Sequence, residues 1–69
     1  MYELNTEQAI NVMKKGKHVI SNYKRIYFMD KDKNIKICDE NKNFIKIVDQ
    51  NFFMKLSFIK FREIKWTAP

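Results

Sequence analysis

A change of hydrophobic period at one glycine constrains this chain more than any other feature. Ahead of Gly16, the only glycine in the sequence, the apolar residues Ala9, Ile10, Val12 and Met13 fall at helical spacing. Thr6 offers an N-cap, and Glu7 places an anion in the first turn, where the helix dipole favours it. Lys14 and Lys15 complement the other end, and a glycine just past them closes a helix by taking the left-handed conformation. The spacing predicts a helix over Glu7–Lys15, with Leu4 stapling back onto it.

Beyond Gly16 the period shortens to that of strands. Lys17–Ile20, Arg25–Met29, Ile35–Cys38 and Phe44–Val48 are short runs rich in β-branched and aromatic residues. Polar turns separate the last three, at Asp30–Asn34 and Asp39–Asn43. Ile35-Lys36-Ile37-Cys38-Asp39-Glu40-Asn41 nearly repeats as Ile45-Lys46-Ile47-Val48-Asp49-Gln50-Asn51. Both copies alternate isoleucine with lysine, as a half-buried hairpin does. Ile35, Ile37, Ile45 and Ile47 are therefore expected in the core, with Lys36 and Lys46 in solvent. Phe52–Leu56 reads either as the end of a strand or as a helical turn. Ser57 suggests an N-cap for a short helix over Phe58–Arg62, and Glu63–Thr67 alternates like a closing strand. The expected fold is α+β, an N-terminal helix packed on a small antiparallel sheet, as one domain over residues 1–69.

Composition then excludes several classes. At 69 residues and 45% apolar content the chain is a small single domain rather than a disordered tail. One cysteine rules out a disulfide framework, and Cys38 with His18 gives too few ligands for a structural zinc. No apolar run approaches the roughly 18 residues of a membrane span, and the N-terminus has no signal-peptide pattern. A cytoplasmic protein without membrane association is expected. A Gly-rich phosphate loop is impossible with one glycine, and His18 and Cys38 have nothing to orient them as a dyad. These features argue against an enzyme and against any cofactor.

Binding is the better-supported class. Fourteen Lys and Arg against eight Asp and Glu give a net charge of +6. Lys14-Lys15-Gly16-Lys17-His18 gathers cations at the predicted helix end, and Tyr23-Lys24-Arg25-Ile26-Tyr27 interleaves them with rings. Cations with stacking rings are how proteins hold single-stranded nucleic acid and nucleotides. The aromatic content, 14%, exceeds what one helix on one small sheet can hide. A homo-oligomer with a partly aromatic interface is expected.

The run from Thr6-Glu7-Gln8-Ala9-Ile10 through Lys15-Gly16-Lys17-His18-Val19, with Ile64-Lys65-Trp66 near the end, resembles a family of small phage proteins. It is the Thoeris anti-defence type two family. The resemblance implies a small α+β unit that assembles as a homo-oligomer in the bacterial host cytoplasm. It also implies sequestration of a cyclic ADP-ribose-type immune signal in pockets between subunits. Ile20-Ser21-Asn22-Tyr23 stands where that family carries basic residues and then an aromatic, commonly tryptophan, so Tyr23 takes the tryptophan's place.

The leading expectation is a viral anti-defence protein that sequesters an anionic nucleotide signal, cyclic or linear, by stoichiometric binding. Lys17, Lys24 and Arg25 are the candidate phosphate contacts, and Tyr23, Tyr27 and Trp66 the candidate stacking rings. Two alternatives stand beside it: a protein-binding inhibitor of a host defence nuclease, and a small single-strand nucleic-acid-binding protein.

Overall fold

The computed structural model describes residues 1–65. Helix α1 (Thr6–Lys14) leads into strands β1 (His18–Ser21), β2 (Ile26–Met29), β3 (Ile35–Cys38) and β4 (Phe44–Val48). A short helix α2 (Gln50–Met54) and a last strand β5 (Phe61–Ile64) follow. The five strands form one antiparallel sheet in the order β4-β3-β2-β1-β5, with α1 and α2 packed on one face. The predicted α+β class and the Ile35–Cys38 and Phe44–Val48 strands are those observed. Among the described residues, no helix is long and apolar enough to cross a membrane.

The α1 cap sits one residue earlier than predicted. The Asn5 side chain accepts from the Gln8 backbone N–H (2.8 Å), while the Asn5 N–H donates to Gln8 Oε1 (2.9 Å). This reciprocal box satisfies two otherwise orphaned donors and leaves Thr6 as the first helical residue. Gly16 takes φ +83° as expected. An added Cβ there would meet nothing within 4 Å, so the requirement for glycine is conformational alone. Leu4 does not simply staple the helix. Its backbone pairs with Phe61 through two 2.8 Å hydrogen bonds, shielding the outer edge of β5.

Ala9, Ile10 and Met13 of α1 are buried against Val19, Tyr27, Ile35 and Ile37 of the sheet. Burying a side chain the size of Ile10 or Met13 contributes about 1.5–3 kcal/mol. Phe53 of α2 completes the core by packing with Tyr27 and Phe61, the three ring centroids lying 5.2–5.4 Å apart.

Three hairpin features recur every nine residues. Ser21, Asp30 and Asp39 each accept two backbone N–H groups with one side-chain oxygen, from residues two and four further on. Lys24, Lys33 and Lys42 occupy the left-handed position of each turn, at φ 65°, 68° and 68°. Each is a three-residue connection in which a turn is followed by a residue at positive φ. The ten-residue repeat read from sequence is this nine-residue module plus one inserted residue. Ile37 pairs with Lys46 and Cys38 with Phe44, so β4 carries a bulge that skips Ile45.

That bulge overturns the expected burial of β4. Ile47 lies opposite Lys36, on the sheet face away from α1, and Lys46 lies opposite buried Ile37. Ile45 and Ile47 are 42% and 46% exposed, whereas Ile35 and Ile37 are buried. Lys46 is exposed as expected, with its ammonium 5.1 Å from the Phe52 ring centroid.

The predicted helix over Phe58–Arg62 is absent. Asp49 instead caps α2 by accepting from the Phe52 N–H (2.8 Å), which resolves Phe52–Leu56 in favour of a helical turn. Phe58 and Phe61 do not share a helical face: Phe58 is exposed, while Phe61 is buried between Ser21 and Leu4 in the sheet. The closing strand therefore begins at Phe61 and not at Glu63.

Candidate anion-binding corner

One corner of the sheet gathers cations and rings from three separate segments. The β1–β2 turn supplies Tyr23, Lys24 and Arg25. Ser21, itself fully buried, fixes this turn by accepting from Tyr23 N–H and Arg25 N–H, both at 3.2 Å, and by pairing with Lys24 and Arg25 through its backbone. Asn22 then ties the turn to the segment ahead of β5. Its N–H donates to the Lys60 carbonyl (3.0 Å), and its side-chain oxygen accepts from the Lys60 N–H (3.3 Å). The N-terminal segment, held by the Leu4–Phe61 pairing, delivers Tyr2 to the same place.

Tyr2 lies between two cations. The Lys24 ammonium donates to the phenol oxygen at 3.2 Å and sits 5.8 Å from the ring centroid. The Arg62 guanidinium lies 5.5 Å from that same centroid. The Lys24 hydrogen bond, followed by one from Arg62, holds the phenol below its ordinary pKa of 10.0. Lys17 is ion-paired with Glu63 (3.4 Å), whereas neither Lys24 nor Arg62 pairs with a carboxylate among the described residues. Arg25 differs: its charge helps hold Asp39 low, behind hydrogen bonds from the backbone and side chain of Asn43 and the backbone of Asn41.

The predicted site residues thus separate. Tyr23, Lys24 and Arg25 come together, and all three are exposed. Lys17 precedes the opposite end of β1 and is engaged by Glu63. Tyr27 is 4% exposed, its ring edge-on to Phe53 and Phe61, so it has no face to offer a base. Trp66 lies outside the described residues. Sequence reading missed Tyr2, Lys60 and Arg62, because the helix assigned to Phe58–Arg62 hid the alternation of β5.

Other chemistry is weaker. A cleft of about 200 Å³ beside Arg62 is also lined by Glu3 and Glu63, which disfavour an anion. Burial holds the His18 imidazole below its ordinary 6.5 and pushes the Cys38 thiol up, favouring the neutral form of both. Among the described residues no group of three or more His, Cys, Asp and Glu is placed to hold a metal ion. No family model, no curated protein and no solved structure matches the chain.

Proposed function

We propose that the protein acts by stoichiometric binding, without turnover, of a phosphate-bearing nucleotide at this corner. The observation that carries the reading is the convergence of Lys24 and Arg62 on the Tyr2 side chain with no carboxylate paired to either among the described residues. Two cations gathered on one neutral side chain, Lys24 at its oxygen and Arg62 over its ring, have unused capacity for an anion. The phenol oxygen marks a position that an anionic phosphate oxygen would occupy with greater electrostatic gain. Exposed Tyr23, on the same turn, offers a stacking face for the base. The resemblance to the Thoeris anti-defence type two family supplies the setting, a phage protein that sequesters a nucleotide immune signal as a homo-oligomer in the host cytoplasm.

Isothermal titration against a panel of linear and cyclic nucleotides tests this reading. A one-site heat is expected, weakened about tenfold to a hundredfold by Arg62→Ala or by Lys24→Asn, which removes charge while keeping a residue that tolerates positive φ. A second reading, a protein-binding inhibitor of a host defence nuclease, draws on the exposed Phe44, Ile45 and Ile47 of β4. It expects no nucleotide heat and capture of a macromolecule instead.

A further inference from the structure

We infer that the open edge of β4 takes up an extended segment of a protein partner as a sixth strand, one that alternates apolar residues with carboxylates. The two edges of the sheet are managed differently. Leu4 pairs with Phe61 outside β5 through two hydrogen bonds, whereas β4 pairs with β3 alone and no described segment covers its other side. A row of open N–H and C=O groups along an edge is a template for one more strand. Arg62 belongs to the strand at the far edge of the sheet, so this surface lies apart from the anion-binding corner and the inference does not depend on the nucleotide reading.

The side chains along the edge specify the newcomer. Phe44 and Ile47 lie opposite Cys38 and Lys36, two positions apart on β3, so they share the sheet face away from α1. They are 60% and 46% exposed. Lys46 stands on the other face, exposed beside the Phe52 ring and without a carboxylate partner among the described residues. A strand that fits this edge turns apolar side chains toward Phe44 and Ile47 and a carboxylate toward Lys46.

A second copy of the chain fits it poorly. Lys46 is the central residue of a five-residue strand, so full antiparallel overlap with another β4 sets it against its own counterpart. Like charges directly opposite are destabilising, and each copy also brings a net charge of +6. A lysine and a bulge are common guards of a sheet edge. Here they close the edge to another copy, while the exposed Phe44 and Ile47 leave an acidic strand apolar surface to bury.

The test is calorimetry and amide hydrogen exchange of the full chain with end-capped peptides of about seven residues. One alternates valine with glutamate, a second alternates valine with lysine, and a third is the glutamate peptide with proline at its centre. The glutamate peptide is expected to bind at least about tenfold tighter than either control and to slow exchange of the β4 amides. Lys46→Glu should reverse the preference between the glutamate and lysine peptides, which a folding defect cannot do, and should leave any nucleotide heat unchanged. Ile47→Ala should weaken the glutamate peptide through lost apolar contact. No heat with the glutamate peptide, equal heat with the lysine or proline peptide, or a preference that Lys46→Glu leaves unmoved overturns the inference. So does protection of the β4 amides that rises with the concentration of the protein alone, since a second copy would then occupy the edge.

Discussion

Strands β3 and β4 carry almost the same phrase and are each followed by an aspartate, yet Asp39 turns the chain back while Asp49 starts a helix. Both carboxylates accept backbone N–H groups. Asp39 takes them from Asn41 and Asn43, and Asp49 takes one from Phe52. The difference lies three residues on. Lys42 accepts positive φ, but the bulky Phe52 stands at the corresponding place after Asp49, and Phe53 beside it is drawn fully into the core. A short capping residue thus specifies only that its neighbours' N–H groups are satisfied. The residues after it decide between turn and helix. The bulge adds a second difference, since one skipped residue reverses which face the β4 isoleucines occupy.

Core substitutions probe that contrast most strongly. Ile37→Ala should cost about 2–5 kcal/mol in urea unfolding, while Ile47→Ala, on the exposed side, should cost no more than about 0.5 kcal/mol. Comparable losses at the two positions would mean that the isoleucines of β4 are buried after all. At the next level, Asp49→Ala should cost about 1 kcal/mol through loss of the α2 cap.

Backbone conformation gives a smaller pair of opposite sign. Gly16→Ala should destabilise by about 1 kcal/mol, because φ +83° strains any Cβ even in open space. Lys33→Asn should stabilise by a few tenths of a kcal/mol, since asparagine tolerates the left-handed region better than lysine. Thermal melts of the two variants should move in opposite directions.

Acid should erode the fold in two stages. His18 and Asp39 both have folded pKa values below their ordinary values of 6.5 and 3.8. A depressed folded value contributes stability that is present above the ordinary pKa and lost as pH falls through the folded one. Stability should therefore decline below about pH 6.5 as His18 protonates and again below about pH 4 as Asp39 does. His18→Gln should flatten the first decline and Asp39→Asn the second, in urea midpoints followed against pH.

Much of the fold was legible because local signals agreed with the tertiary result. The α1 stripe, Gly16 and the positions of the first four strands each pointed to what is observed, within one or two residues at their ends. The Asn5-x-x-Gln8 box was also readable, but Thr6 competes for the cap on propensity alone. The bulge was not readable, because nothing in Phe44–Val48 says which residue the partner strand will skip. Phe58–Arg62 misled because its apolar spacing fits a helix, while the pairing of Phe61 with both Ser21 and Leu4 is long-range. Of the corner, the Tyr23–Arg25 turn was visible as a run of adjacent residues. Tyr2, Lys60 and Arg62 join it only through contacts spanning some twenty to sixty positions, of which the 22 residues from Tyr2 to Lys24 are an example.

The central claim is that Lys24 and Arg62 together form an anion site for a phosphate-bearing nucleotide. Calorimetry of the unaltered protein and of Arg62→Ala against one panel of linear and cyclic nucleotides, at low salt, tests it most directly. A saturable heat with at least one nucleotide, weakened about tenfold to a hundredfold in the variant, is the predicted result. No heat across the panel, or a heat that Arg62→Ala leaves untouched, would contradict it.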